Sequence, residues 1–150
     1  MIDLHLVRLI ESHADELAQG LMQKLEASHR CSDLSKVPRT ELQTRVLEVY
    51  KNLTIWLLNK TEEDIEVTYR HLGRRRCEQG VRFDHLYWAL VVVKENLWEF
   101  LQEEGLAETQ VNLYGGLELL RLTEQFFDRA IYHAAVGFRE TSKNAVVHVA

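Results

Sequence analysis

Between Leu113 and Gly137 the chain carries a seven-residue repeat in two parallel series, and this repeat restricts the fold more than any other feature of the sequence. Leu113, Leu120, Phe127 and Ala134 form one series, and Gly116, Thr123, Ala130 and Gly137 form the other. Such spacing keeps one face of a long helix turned toward a neighbour. Small side chains along that face let a second helix axis approach to the short end of the usual 8–10 Å range. The pattern predicts a last helix from near Glu108 to about Arg139, with a seam that meets another helix either inside the chain or across a homodimer axis. Past Thr141 the pattern is lost, which predicts a loosely ordered tail from about residue 141.

The rest of the chain is helical by the same reasoning. Apolar residues from Leu4 through Val7, Ile10, Ala14, Leu17 and Leu21 recur at spacings of three and four, predicting a first helix that ends near Ser28. The polar stretch SHRCSDLSKVP reads as a break. Thr40 and Gln43 then form a capping-box pattern ahead of a second helix to about Asn59. Thr61 can cap a third helix, with Glu62, Glu63 and Asp64 at its positive end and Arg70, Arg74, Arg75 and Arg76 at its negative end. Gly80 suits the left-handed residue that closes that helix, with Val81 folding back on the stem of Arg76. Asp84 then reads as the cap of a fourth helix, and Phe83 as a staple onto Trp88. The segment HLGRRRCEQGVRFDHL is thus a joint between two helices. With 150 residues, 46% of them hydrophobic, and a single proline, the expectation is one all-α domain over residues 1–150, a bundle of about five main helices.

Charge and composition exclude several functions. A formal charge of −5 argues against a nucleic-acid partner, which needs an excess of cations on one face. The apolar run from Leu86 to Leu101 is interrupted by Lys94, Glu95, Asn96 and Glu99, so membrane insertion is not expected. Cys31 and Cys77 stand alone, and Asp3, Arg8 and Glu11 interrupt the N-terminal apolar residues, which points to reduced thiols and a cytoplasmic setting. Only Glu26 and His29 have the Glu-x-x-His spacing of a bundle metal site, so no metal or other cofactor is expected. The nucleophile elbow and the glycine-rich phosphate loop are both missing from the sequence, and an enzyme is not expected.

Three groups of residues remain. The arginine cluster lies at a helix C-terminus, whose dipole repels anions, and most of it reads as a solvated face. Arg76 differs, because it follows Ile65, Tyr69 and Leu72 on the apolar stripe of its helix; it should either turn inward toward a carboxylate or snorkel over the core. Trp56, Trp88 and Trp98 read as core residues, or alternatively as the lining of a ligand pocket.

The segment YRHLGRRRCEQGVRFDHLYWALVVVKENLWEFL resembles the centre of the N-terminal sensory domain of RsbR/RsbRD-type proteins, a domain also found ahead of bacterial sensor histidine kinases. The resemblance rests on a helix ending in R-x-x-Q-G, a short turn, and L-x-x-A-L-x-x-x-K-x-x-L-W, carried here by Arg76, Gln79, Gly80, Leu86 and Lys94. FFDRAIYHAAVGF is similar to the closing helix of that domain, and the Leu-x-x-Trp-Leu end of the second helix fits as well. The resemblance implies a globin-like or bundle-like fold without haem that acts in signal transduction on an output module. The sequence ends just after the matched region, so the output is expected to pass through a partner in trans, such as a histidine kinase or a stress regulator, with the domain itself a homodimer. A small-molecule or haem-type binding protein with an aromatic helical pocket is the alternative.

Overall fold

The computed structural model describes residues 4–59, 61–105 and 113–149, with side chains described for 4–59, 61–103 and 116–144. The chain forms α1 (Leu4–Ser12), α2 (Ala14–Ala27), a 3-10 helix (His29–Lys36), α3 (Arg39–Asn59), α4 (Glu62–Glu78), α5 (Phe83–Phe100), a π-helical turn (Leu101–Gly105) and α6 (Leu113–Val149). It is an all-α helical bundle, and the described residues contain no strand. No helix among the described residues is long and apolar enough to cross a membrane.

The first expected helix is present but bent. At His13 the backbone leaves helical geometry (φ −109°, ψ 15°). There the Ser12 hydroxyl donates to the Leu9 carbonyl at 3.1 Å and the His13 ring nitrogen Nδ1 lies 2.9 Å from the same oxygen. Side chains competing for a backbone acceptor are a known cause of helix bending. The polar break after Ser28 is also more ordered than its composition suggests, since it winds into a 3-10 helix that buries Cys31, Asp33 and Leu34.

The capping residues correct the sequence reading in two places. Helix α3 begins at Arg39, with the Leu42 N–H donating to the Pro38 carbonyl, so Thr40 lies inside the first turn and does not cap it. Helix α5 begins at Phe83, which places Asp84 within its first turn and exposed to solvent. Thr61 does stand at the N-cap of α4 but makes no side-chain capping bond. Helix α6 continues through Val149, well past Arg139, where its apolar repeat ends. The tail expected from about residue 141 is helical in backbone, and its side chains from residue 145 lie outside the described residues.

The core is built from the apolar stripes of these helices, among them Leu6 and Ile10 of α1, Leu21 of α2, Leu53 and Leu57 of α3, Leu97 of α5, and Phe126 and Phe127 of α6. One polar knot ties three of them together. The buried Asn96 side chain on α5 donates to the Leu17 carbonyl of α2 at 3.0 Å and to the Tyr50 hydroxyl of α3 at 2.8 Å, and accepts from Lys24 at 2.7 Å. A buried amide saturated in this way fixes the relative positions of its neighbours, because any shift strands a polar group.

Candidate functional site

Four of the sequence-marked residues, Arg76, Gln79, Gly80 and Asp84, lie at the joint between α4 and α5. Gly80 has a φ of +82°. Its N–H donates to the Cys77 carbonyl and the N–H of Val81 donates to the Arg76 carbonyl, both at 3.0 Å, which is the paired bonding of a Schellman stop. Lys36 of the 3-10 helix then donates to the Gly80 carbonyl, also at 3.0 Å.

Arg76 lies just inside this stop and is 2% exposed, whereas Arg74 and Arg75 have side chains 47% and 44% exposed. Its guanidinium donates to Gln79 Oε1 at 2.8 Å and lies 3.6 Å from the Glu41 carboxylate of α3. Gln79 in turn donates to Glu41 at 2.7 Å, and Arg75 donates to it at 3.0 Å. Glu41 is therefore the common partner of three side chains at the α4 C-terminus, accepting from Gln79 and Arg75 and pairing by charge with Arg76. The hydrogen bond from Arg75 holds its carboxyl below the ordinary value, with Gln79 and Arg76 adding to the effect against the cost of burial. Burial pushes the Arg76 guanidinium down, and Glu41 opposes that shift.

A second acid closes the other side of the joint. Asp33 of the 3-10 helix accepts from the Arg82 backbone N–H at 3.0 Å and from Arg82 Nε at 2.9 Å. It thereby supplies the carboxylate at the start of α5 that local sequence assigned to Asp84. Hydrogen bonds from the Arg82 side chain and backbone hold the Asp33 carboxyl well below the usual carboxylate range. The Asp33 N–H also donates to Nδ1 of the buried His85 at 3.0 Å, so that ring nitrogen is an acceptor here. Neither Glu41 nor Asp33 stood out in the sequence. The visible signal was only that inward-turned Arg76 needed a carboxylate.

Lys94 lies at the opposite end of α5 from this joint. It pairs with Glu124 of α6 at 3.2 Å, and Trp98 Nε1 donates to the same carboxylate at 3.1 Å. The three tryptophans occupy different settings. Trp56 packs on Phe126 with ring centroids 6.0 Å apart, Trp88 carries the Arg30 guanidinium 4.6 Å from its ring, and Trp98 is tied to Glu124. They do not form one shared aromatic pocket.

The α6 seam faces α4 within the chain. Of its residues, Gly116, Thr123, Phe127, Ala130, Ala134 and Gly137 are buried and Leu120 is half-buried, while the Leu113 side chain lies outside the described residues. Two helix backbones touch directly where they cross. A Cβ on Gly73 would sit 1.9 Å from the Ala134 carbonyl oxygen, and one on Gly137 would sit 2.0 Å from the Arg70 carbonyl oxygen. Glu62 pairs with Arg129 at 2.6 Å and Arg70 pairs with Glu140 at 2.5 Å, so the two helices run in the same sense. Gly73 was missed in the sequence, although a glycine within a helix that buries Tyr69 and Arg76 costs stability relative to alanine and so hints at a close approach.

On the outer side of α6, Phe83, Tyr132, Ala135, Val136 and Phe138 wall an apolar groove rimmed by Arg139 and Lys143. Tyr132 is 63% exposed. Arg121 and Arg129 of the same helix have carboxylate partners, whereas Arg139 and Lys143 make no ion pair among the described residues. No three or more His, Cys, Asp and Glu side chains of the described residues are grouped to hold a metal ion. Both cysteines are free thiols, and burial pushes that of Cys77 up, away from the range of an activated nucleophile.

A family model described as the RsbT co-antagonist protein RsbRD N-terminal domain matches residues 11–147. No curated protein and no solved structure matches the chain significantly.

Proposed function

From the premise that this chain belongs to the RsbRD N-terminal domain family, we propose that it is a non-catalytic cytoplasmic domain that acts on a signalling protein, a histidine kinase or a stress regulator, through direct contact. The family is one of regulatory sensory domains in signalling. The observation that carries the contact reading is the α6 groove, whose apolar walls and two cations without an ion pair among the described residues suit a segment with apolar side chains flanked by carboxylates. The groove and the α4 crossing share one helix, so a shift of α4 reaches the docking face. The free thiols support the cytoplasmic setting.

Affinity capture from native lysate, with mass spectrometry of the bound proteins, tests this reading. A kinase or stress regulator retained by the wild type should be lost with Val136→Glu combined with Arg139→Glu. Equal retention by wild type and variant would remove the groove from the mechanism. Association into a homodimer, for which the seam no longer argues, is read in the same preparation by sedimentation. The small-molecule alternative is favoured by one feature, a cavity between α3 and α4.

A further inference from the structure

The α6 groove does not end at Phe83. That side chain is a wall shared with a second depression on the α5 side, lined also by His29, Arg30, Asp84, Tyr87 and Trp88. Its ring stands 6.2 Å from Tyr87 and 5.3 Å from Phe138 between centroids. The two depressions thus meet in one aromatic band, from Trp88 on α5 across Phe83 to Tyr132 on α6, and both Tyr87 and Tyr132 are exposed. Large rings left open side by side mark a surface that meets another molecule.

The charges at the two ends of the band narrow what that molecule is. Among the described residues Arg8, Arg30, Lys51, Arg139 and Lys143 are the lysines and arginines that make no ion pair, and Arg30, Arg139 and Lys143 all border the band. Arg30 is held over the Trp88 ring at 4.6 Å, and its side-chain N–H groups donate to no described residue, so a positioned guanidinium fork stands open to a carboxylate. At the other end Arg139 and Lys143 are exposed on successive turns of α6. Asp84 is the one carboxylate among the described residues that lines the band. A chain with a formal charge of −5 thus presents an aromatic face on which cations outnumber acids. This layout favours a peptide over a nucleic acid, since a phosphate strand would carry charge at every nucleotide across the apolar middle, where no cation meets it. We propose that the band binds an acidic segment of a partner protein, with apolar side chains seated on either side of Phe83 and carboxylates on Arg30 at one end and on Arg139 and Lys143 at the other. The proposal rests on the contact reading above and extends it from α6 to α5 and the 3-10 helix.

Arg30 belongs to the 3-10 helix, Phe83 and Trp88 to α5, and Phe138 and Arg139 to α6. A segment reaching both ends needs all three elements in register at once. The first two are fastened to each other at the α4–α5 joint through Asp33 and Arg82, so its affinity depends on whether that joint is closed.

Fluorescence anisotropy of a labelled synthetic peptide, Glu-Glu-Leu-Phe-Ala-Leu-Phe-Glu-Glu, titrated with the full chain, tests the proposal. The comparison probes are the same peptide with lysine for every glutamate, the same peptide with serine for every leucine and phenylalanine, and an oligothymidylate of equal length. The acidic apolar peptide is expected to bind, and each comparison probe to bind at least about ten-fold more weakly. Arg30→Glu alone, and Arg139→Glu combined with Lys143→Glu, should each weaken it by about ten-fold or more, the scale of one lost charge-assisted hydrogen bond. Lys51→Glu on α3, the same change of net charge as Arg30→Glu at another cation without an ion pair, should leave it within about two-fold. All four side chains are exposed, so the variants are expected to fold. Absence of binding, or a comparison probe binding as tightly as the acidic peptide, would overturn the proposal. Self-association of the wild type in sedimentation that Arg30→Glu abolishes would assign the band to a second copy and overturn it too. Loss in the α6 double variant without loss in Arg30→Glu would confine docking to the α6 groove, sinking the proposal while leaving the contact reading, which capture from lysate judges separately.

Discussion

Arg76 is among the largest fully buried side chains of the described residues, and its position shows how one charge can organise a joint. Its stem packs where the apolar stripe of α4 requires a hydrophobic residue, and its head finds Gln79 and Glu41. Truncation leaves a cavity and strips a half-buried carboxylate of a partner. Arg76→Ala is therefore expected to cost about 3 kcal/mol in chemical denaturation. Arg74→Ala, on the solvated face, should stay within about 0.5 kcal/mol. Equal losses at the two positions would show that the joint does not depend on the buried charge. Gly80 is a cleaner case. A Cβ there would come no closer than 3.9 Å to the Lys36 side chain, so no clash opposes alanine. Only the left-handed backbone does, and Gly80→Ala should cost about 1 kcal/mol, read from the same denaturation midpoints.

Among the elements, the crossing of α4 and α6 is the least tolerant contact, because no side chain separates the two backbones. Gly73→Ala and Gly137→Ala would each drive a methyl group into a carbonyl oxygen, and each is expected to cost about 3 kcal/mol or more. Ala130→Leu, at a fully buried seam position, should cost about 1–3 kcal/mol without changing sedimentation. A shift in sedimentation with unchanged stability would instead place the seam between molecules. These contacts also mark the limit of what sequence conveys. Periodicity and glycine chemistry are local, so the α6 repeat, the stop at Gly80 and the place of Arg76 on an apolar stripe could be read directly, whereas the choice between an inward turn and snorkelling could not. Partners are not local. Asp33 takes over the start of α5 from 49 residues away, Glu41 reaches Gln79 across 38, and Gly73 acquires its meaning only when α6 arrives. The 3-10 helix was illegible for a related reason, since its polar composition conceals three residues that are buried only by tertiary packing.

For the molecule as a whole, Asp33 and Glu41 fasten the 3-10 helix and α3 to the α4–α5 joint, and both carboxyls are held below their ordinary values. The folded state therefore binds these protons less readily than the unfolded chain. Their stabilisation is fully present above the unfolded carboxylate range, near pH 4, and is lost as pH falls toward the lower folded values. Denaturation midpoints should stay level from pH 7 to about 5 and drop below about 4, with a shallower acid limb in Asp33→Asn. An unchanged acid limb in that variant would show that Asp33 contributes nothing to it. The bare crossing at Gly73 and Gly137 has a mechanical consequence at this scale. Side chains between helices act as springs, since they can change rotamer and absorb a displacement, but a carbonyl resting on a Cα has no such slack. The crossing is a pivot without backlash, and α6 continues beyond Gly137 to Val149 as an arm about 18 Å long. A tilt of about 5° at the pivot would swing the end of that arm by roughly 1.6 Å, given the helical rise per residue. Small rotations of α4 would thus be delivered far from where they begin, undiminished and in a fixed direction.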